Sequence, residues 1–240
     1  MRLVILVAGV GSRLRPLTDD RPKCLVEIGG QTILSRFLQG AEEANAFQEV
    51  VLITGYRHEQ IAAAVEEWQQ SHALPVRLVH NERYDETNNG YTLLCAKDFL
   101  HDGFVLTDGD LLLEDGILRR VASATDTHLA VDMQMKLDEE AMKFVLDENG
   151  FVTELSKEIS VERGLGESIG LCKINAEHVQ GVIDHLAKLV EQGEENEYYE
   201  RAFQELIHEG WQLKVVDVGD LRWVEVDDQK DLARAEQIFG

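Results

Sequence analysis

The chain has 240 residues, 44% of them hydrophobic and 28% charged, which is enough for one well-filled α/β domain and short for two. Its formal net charge of −22 disfavours nucleic acid and anionic membrane surfaces as partners, because binding to such polyanions requires clustered lysines and arginines. Three scattered cysteines without a CxxC pair are typical of a reducing compartment, and no stretch reaches the roughly 20 apolar residues of a membrane span, so we expect a cytoplasmic protein.

In the first half of the chain, apolar runs rich in β-branched residues alternate with amphipathic helical patterns. The predicted strands are 3–7, 50–54, 76–79 and 104–107. The predicted helices are 31–45, 58–70 and a helix that Thr87 caps and that runs to residue 97. Strands and helices that alternate require right-handed crossovers, so the pattern predicts a mostly parallel sheet with helices on both faces.

The second half of the chain is less regular. Its predicted strands are 128–135, 143–146, 152–155, 169–174, 213–218 and 223–226. Its predicted helices are 176–191, 197–208 and 229–238. Because there is neither a low-complexity linker nor a repeat, we predict one domain over residues 1–240.

A glycine-rich loop, Ala8-Gly9-Val10-Gly11-Ser12-Arg13, follows the first predicted strand, and Lys23 follows soon after. Such a loop places backbone N–H groups where phosphate oxygens can accept from them, and Arg13 and Lys23 add positive charge. A dinucleotide-binding motif is disfavoured, because Leu14 stands at its third glycine and the second strand ends in Thr54-Gly55-Tyr56 without an acidic residue. A Walker P-loop is excluded, because this loop lacks the Gly-Lys-Ser/Thr sequence of that motif. An ordinary surface turn is disfavoured, because such a turn does not require these basic residues.

Carboxylates follow two further predicted strands. Asp108 and Asp110 come after strand 104–107, and Asp227 comes after strand 223–226. Carboxylates at the C-terminal ends of such strands face the crevice where α/β sheets bind ligands, and Mg²⁺ takes one or two of them together with phosphate oxygens. The alternatives are a solvated Asp-Gly-Asp turn and the N-cap of the last helix.

Three other segments carry polar side chains at element ends. Asn88 and Asn89 begin a predicted helix, where their amides can read a pyrimidine edge, cap the helix, or do both. Lys157 follows a predicted hairpin, and an isolated surface lysine is the alternative to a phosphate contact. Residues 164–170 and 197–200 combine aromatic rings with carboxylates, which suits an amine or quaternary ammonium as well as it suits helix packing with a solvated acidic face.

These motifs together resemble the signature of the nucleotidyltransferase superfamily that contains sugar-phosphate and alcohol-phosphate pyrophosphorylases. The matching elements are G-x-G-S-R-L-x-P-L-T with P-K in residues 9–23, D-G-D in 108–110, and W-V-E-V-D in 223–227. The element from Asn81 to Leu94 is similar to that of cytidylyltransferases acting on phosphocholine, inositol 1-phosphate or aminoalkylphosphonates. The family usually carries a small residue where Val7 stands, a mild departure.

The resemblance implies a Rossmann-like three-layer α/β/α sandwich with a mostly parallel, mixed central sheet, the nucleotide-diphospho-sugar transferase fold. Residues 1–110 would form the nucleotide-binding half and 111–240 the acceptor-binding and lid half. It also implies a Mg²⁺-dependent transfer of CMP from CTP to a small phosphorylated alcohol or phosphonate, with release of pyrophosphate. The partners would be these small molecules, and the sequence leaves both the acceptor and the oligomeric state open, a homodimer included.

The family roles carry over residue by residue as expectations. Arg13 and Lys23 would be catalytic, and Asp110 and Asp227 would bind the metal. The expected nucleotide-binding residues are Ala8, Gly9, Gly11, Ser12, Arg13, Gly55, Tyr56, Asn88 and Asn89. The expected acceptor-binding residues are Asp108, Lys157, Glu167, Tyr198 and Tyr199. The alternatives are a sugar-1-phosphate uridylyl- or thymidylyltransferase, which lacks the Asn88-Asn89 element, and a nucleotide sensor without turnover.

Overall fold

The computed structural model describes all 240 residues. The strands are β1 (Arg2–Val7), β2 (Glu27–Ile28), β3 (Gln31–Thr32), β4 (Glu49–Thr54), β5 (Val76–His80), β6 (Phe104–Asp108), β7 (Leu111–Leu113), β8 (His128–Asp132), β9 (Lys143–Leu146), β10 (Val152–Ser156), β11 (Glu167–Ile174), β12 (Lys214–Asp217) and β13 (Trp223–Glu225). The α-helices are α1 (Ile33–Ala44), α2 (His58–Gln69), α3 (Asn89–Leu94), α4 (Ile117–Ser123), α5 (Ala176–Glu191), α6 (Tyr199–His208) and α7 (Gln229–Phe239). None of these helices has both the length and the apolar composition that crossing a membrane requires.

Nine strands form one mixed sheet in the order β10-β9-β11-β6-β1-β4-β5, with β8 beside β11 and β12 beside β8. At its centre β1 runs parallel to β4 and β6, and β5 runs parallel to β4. The strand β11 is antiparallel to β6 and makes the sheet mixed. In the register of β1 and β6, Leu6 lies opposite Asp108, so both strands end at the same edge.

The apolar residues of β1 divide between the two faces of the sheet, because successive strand residues point to opposite sides. Leu3 and Ile5 pack in a cluster with the buried sides of α1, α2 and α4, whereas Val4 and Leu6 pack in a second cluster with α3, α5 and α6. A sheet covered by helices on both faces confirms the predicted three-layer sandwich.

Most predicted elements are confirmed, and the corrections have local causes. The helix predicted from Thr87 to residue 97 is only Asn89–Leu94, and Asn88 caps it by accepting from the N–H of Asn89 at 2.8 Å. The Thr87 hydroxyl donates instead to the carbonyl of Arg83 at 2.8 Å. The strand predicted over 128–135 ends at Asp132, whose Oδ1 accepts the backbone N–H groups of residues 134 and 135 and turns the chain. The helix predicted over 31–45 begins at Ile33, because Gln31 and Thr32 form β3 and the side chain of Thr32 caps the helix. The sequence patterns did not predict β2, β3, β7 or α4.

Candidate active site

The glycine-rich loop follows the end of β1, and residues of neighbouring segments pack closely against it. Gly11 has φ 66°, and a Cβ there would lie 3.0 Å from the Cβ of Lys23, so only glycine fits without strain. A Cβ on Gly55 would lie 2.7 Å from the carbonyl oxygen of Ala8, and the N–H of Tyr56 donates to that same oxygen at 3.0 Å. Gly55 and Tyr56 therefore brace the loop and do not line the cavity beside it.

Four charged residues that are distant in sequence meet beside this loop. The ammonium Nζ of Lys23 lies 2.6 Å from Oδ2 of Asp110 and 2.8 Å from Oδ1 of Asp227. One guanidinium nitrogen of Arg13 lies 2.8 Å from the other carboxylate oxygen of Asp227. The structure thus brings together all four residues on which the predicted chemistry depends.

The pairing of β7 with β13 explains why the two aspartates meet. Leu111 lies opposite Glu225 in this antiparallel pair, and the N–H of Val226 donates to the carbonyl of Asp110 at 2.9 Å. The backbone N–H of Asp227 donates to the carboxylate of Asp231 at 3.1 Å, within the capping box that begins α7. Asp228 caps this helix, so the side chain of Asp227 is available to the site.

Burial and charge act on each member of the cluster in a definite direction. Burial alone would lower the pKa of Lys23, but Asp110 and Asp227 outweigh it and raise this pKa above its ordinary value. Burial would raise the pKa of Asp227, but Lys23 and then Arg13 hold it below its ordinary value. Desolvation by the surrounding atoms, reinforced by Asp110 and Asp227, raises the pKa of Glu225 to about 8, although this residue is exposed at the surface of the cavity.

Three carboxylates of the cluster could hold a divalent metal ion. Ligand oxygens of Asp110, Glu225 and Asp227 all lie within 4.8 Å of one another. Oδ1 of Asp110 is buried and has no hydrogen-bond partner within the protein, so it is an acceptor that a cation would satisfy. A set of hard oxygen ligands next to a phosphate-binding loop fits Mg²⁺.

A cavity of about 390 Å³ extends from this cluster and contains most of the predicted site residues. The predicted residues that line it are Ala8, Gly9, Gly11, Ser12, Arg13, Lys23, Asn88, Asn89, Asp108, Asp110, Lys157, Glu167, Tyr198 and Asp227. Tyr199 lies behind the wall, where its hydroxyl donates to Oδ2 of Asp108 at 3.3 Å. A second cavity, of about 420 Å³, is lined by α1, β7 and the end of α7 and contains none of the predicted residues.

The two asparagines line the cavity with side chains that are partly engaged elsewhere. The amide nitrogen of Asn88 donates to the carbonyl of Asn196 at 3.1 Å, in addition to the helix cap formed by its oxygen. Oδ1 of Asn89 accepts from the N–H of Tyr199 at 3.0 Å and so ties α3 to the start of α6. The amide nitrogen of Asn89 makes no hydrogen bond within the protein and is the group best suited to contact a ligand.

Outside the metal cluster, the cavity lining contains further carboxyl groups, among them Asp108, Glu167 and Glu200. Burial raises the pKa values of Glu200 and Glu167 to about 7, and for Glu167 the charges of Asp138 and Asp132 add to this effect. Burial, with the charges of Asp110 and Glu200, also raises the pKa of Asp108. Oε2 of Glu200 is buried and has no hydrogen-bond partner within the protein.

Sequence patterns predicted no role for Glu225, and they included Glu200 only in the segment 197–200, which suited an amine pocket and a solvated acidic face equally well. The signal for Glu225 was present, because it alternates with Asp227 on one side of the strand end. Glu200 stands in the first turn of α6, where an exposed acidic residue is the ordinary expectation. Only the packing of α6 against α3 and α5 shows that this carboxylate is buried.

Known proteins resemble this chain over its whole length. The family model of the MobA-like NTP transferase domain matches residues 3–160. The CTP:phosphoglutamine cytidylyltransferase of Campylobacter jejuni is 27% identical over 97% of this chain and 98% of its own length. The CMP-5'-(3-aminopropyl)phosphonate synthase of Streptomyces rubellomurinus is 30% identical over 100% of this chain, which spans 39% of that longer protein. The solved CTP:phosphocholine cytidylyltransferase of Streptococcus pneumoniae superposes with a TM-score of 0.81 at 24% identity, over 100% of this chain and 99% of its own, and supports the fold.

Proposed function

Because this chain belongs to the family of MobA-like NTP transferase domains, we propose that it is a magnesium-dependent cytidylyltransferase. It transfers CMP from CTP to a small phosphorylated alcohol or phosphonate and releases pyrophosphate. The observation that carries this proposal is the contact of Lys23 with both Asp110 and Asp227 beside the glycine-rich loop. The preference for CTP is supported by two relatives whose names specify cytidylyl or CMP transfer.

The loop and Arg13 bind the triphosphate in this mechanism. Gly9, Gly11 and Ser12 line the cavity, and a Cβ on Gly9 would meet no atom within 4 Å, so the loop surface there is open to a ligand that its backbone N–H groups can bind. The guanidinium of Arg13 is 68% exposed and contacts only Asp227, which leaves donors available for phosphate oxygens.

The acceptor supplies its own nucleophile. A phosphate monoester or phosphonate oxygen is already anionic near neutral pH, so no general base is needed. This oxygen forms a bond to the α-phosphorus of CTP while the bond from that phosphorus to the bridging oxygen of the β-phosphate breaks, and pyrophosphate leaves with the electron pair. Lys157, which makes no ion pair within the protein, lines the acceptor side and attracts the acceptor phosphate.

Catalysis then consists of positioning and charge neutralisation, as is usual for transfer at phosphorus. Bound Mg²⁺, held by Asp110, Glu225 and Asp227, would neutralise charge on the triphosphate. Lys23 lies between two of these carboxylates and stabilises the negative charge that develops in the transition state. The free thiols of Cys24, Cys95 and Cys172 support a reducing, cytoplasmic compartment for this reaction.

The test is a pyrophosphate-release assay with the full chain and Mg²⁺. CTP, UTP, dTTP, ATP and GTP are each combined with phosphorylated alcohols, phosphonates and hexose 1-phosphates, and products are identified by mass. We expect release with CTP and an alcohol phosphate or phosphonate, and none when EDTA is present. Release only with UTP or dTTP and a hexose 1-phosphate would establish the sugar-nucleotide alternative, and nucleotide binding without release would establish a sensor.

A further inference from the structure

The cavity lining holds more carboxyl groups than the proposed reaction uses. Seven carboxylates and three basic side chains line the whole cavity. Asp110, Glu225 and Asp227 form the metal cluster together with Lys23 and Arg13. Lys157 is the one basic side chain of the lining that remains for the other carboxyl groups, which are Asp108, Glu140, Glu167 and Glu200, although Lys143 also acts on Glu167. An acceptor whose phosphate occupies Lys157 therefore leaves Asp108 and Glu200 without a basic partner in the lining.

Glu200 is the carboxylate with the clearest need of a partner. The residue is 6% exposed, lines the cavity, and its Oε2 has no hydrogen-bond partner within the protein. The neighbouring Tyr199 hydroxyl has one hydrogen and donates it to Asp108 in the structure. A buried carboxylate oxygen without a donor is strongly unfavourable, so a ligand that brings both a positive charge and N–H groups is favoured here.

On the basis of the proposed function, we propose that the acceptor carries a primary ammonium group, which Glu200 binds together with Asp108. The structure favours this group over a neutral one because an ammonium has three N–H donors, enough for Oε2 of Glu200 and for Asp108 together, whereas a hydroxyl has one donor. The acceptor class is thus a phosphorylated or phosphonylated amine, with its two charged ends placed between Lys157 and Glu200.

A quaternary ammonium group does not fit the same surroundings. It has no N–H group and cannot satisfy Oε2 of Glu200. Such ions are held instead by the faces of aromatic rings. The ammonium of Lys157 already lies over the ring of Tyr198, 5.3 Å from the ring centre. The ring of Tyr199 is buried and packs on Phe203, with 5.3 Å between the two ring centres. Tyr84, the other aromatic residue of the lining, contacts Gly55 near the glycine loop.

The experiment compares acceptors that differ only in the group at the far end. The probes are ω-aminoalkyl, ω-trimethylammonioalkyl and ω-hydroxyalkyl phosphates, each with two and with three carbons, together with CTP and Mg²⁺. We expect kcat/KM for the better amine to exceed that of every trimethylated and hydroxylated probe at least about tenfold, the ratio for about 1.4 kcal/mol. An equal or higher kcat/KM for any trimethylated or hydroxylated probe overturns the proposal.

The variant Glu200→Gln tests the assigned residue, and Glu197→Gln is its matched control, because Glu197 is exposed and lies outside the cavity lining. In Glu200→Gln we expect the ratio of amine to hydroxyl kcat/KM to fall about tenfold or more, whereas Glu197→Gln keeps the ratio of the unmodified chain. A merely structural role for Glu200 would lower both values together and leave the ratio unchanged, which would contradict the proposal.

A binding measurement separates this inference from the function on which it rests. Calorimetry measures the affinity of the full chain, with Mg²⁺ and a non-hydrolysable CTP analogue, for the aminoalkyl and hydroxyalkyl phosphates. Selective binding of the amine without pyrophosphate release would overturn the proposed transfer and retain the amine site. Turnover without amine selectivity would overturn the amine site alone, and the lack of both selective binding and turnover would overturn both.

Discussion

The ammonium group of Lys23 lies 2.8 Å from Oδ1 of Asp227, a residue 204 positions later in the chain. The same group lies 2.6 Å from Oδ2 of Asp110, so one positive charge holds two carboxylates that would otherwise repel each other. Because these carboxylates are also candidate metal ligands, Lys23 and a metal ion act on the same pair of side chains. Removal of the Lys23 ammonium should therefore affect both turnover and the affinity for the metal ion.

Replacing Lys23 with alanine should lower kcat about 100-fold or more, the scale for losing one group that stabilises developing charge. The assay is pyrophosphate release with CTP and Mg²⁺ under saturating conditions. Lys97→Ala is the matched control, because Lys97 is exposed and lies outside the cavity. An unchanged kcat in Lys23→Ala would refute the role assigned to this residue.

Without nucleotide, the same Lys23→Ala variant should bind Mg²⁺ more tightly than the unmodified chain. Lys23 competes with a cation for Asp110 and Asp227, so its removal frees both carboxylates. We expect the dissociation constant to fall at least about tenfold, which corresponds to about 1.4 kcal/mol. The measurement is the shift of Tm with Mg²⁺ concentration, and weaker Mg²⁺ binding would show that the ammonium does not occupy the metal-binding carboxylates.

Sequence patterns predicted the central sheet well because its signals are local. The apolar runs of β1, β4 and β6 identify buried strands without reference to any partner. The position of Asp227 beside Asp110 depends instead on β7 and β13, short strands whose antiparallel register joins residues more than one hundred positions apart. Leu111–Leu113 is three residues long, too short for a pattern to distinguish it from a loop. The burial of Glu200 is likewise set by helix packing, which no local pattern records.

Gly109 lies between the two carboxylates of the D-G-D turn, and the substitution Gly109→Ala should destabilise the protein. A Cβ there would lie 2.4 Å from Cγ1 of Val7 and 2.6 Å from the carbonyl oxygen of Leu6. We expect a loss of about 1–3 kcal/mol in the free energy of unfolding, the range for overpacking a core. Activity should fall as well, because the turn that carries Asp108 and Asp110 must shift.

Gly40→Ala is the informative counterpart of this substitution. Gly40 lies inside α1, and a Cβ there would make an ordinary contact 3.5 Å from Leu118. Alanine in place of glycine should therefore stabilise the protein by about 0.5–1 kcal/mol. Urea unfolding of Gly109→Ala and Gly40→Ala measures the change in unfolding free energy that each substitution causes. A change of the same sign in both variants would contradict the different packing around the two glycines.

Asp132 fixes the start of the strand that leads to the metal ligands. Its Oδ2 accepts the indole N–H of Trp223 at 2.9 Å, and both groups are buried. Asp132→Ala would leave this N–H without an acceptor, and we expect it to lower the free energy of unfolding by about 1–3 kcal/mol. Because Trp223 begins β13, the Mg²⁺ concentration for half-maximal activity should rise too. Asp132→Asn retains one acceptor oxygen, so it should recover part of the lost unfolding free energy and part of the lost Mg²⁺ response. Equal losses in Asp132→Ala and Asp132→Asn would show that the hydrogen bond to Trp223 is not their cause.

Glu49 should make the stability of the protein depend on pH in the acidic range. Its carboxylate accepts from Arg2 at 2.9 Å and lies 2.8 Å from a guanidinium nitrogen of Arg77. Burial would raise the pKa of Glu49, but these two arginines outweigh it and lower the pKa below its ordinary value of 4.5. The stabilisation is therefore complete well above pH 4.5, and it disappears as the pH falls through the lower pKa of the folded state.

Glu49→Gln should accordingly cost about 1 kcal/mol of unfolding free energy at pH 7, because it removes the negative charge that two partly exposed ion pairs share. The difference from the unmodified chain should shrink below about pH 4.5, where the unfolded chain begins to take up the proton, and should keep shrinking as the pH falls through the lower pKa of the folded state. Glu66→Gln, which removes the same charge from an exposed residue of α2 without an ion-pair partner, should change stability by less than about 0.5 kcal/mol. Urea unfolding at pH 3 to 8 makes the comparison, and a Glu49→Gln difference that persists unchanged at pH 3 would mean that lost packing, and not the carboxylate charge, is its cause.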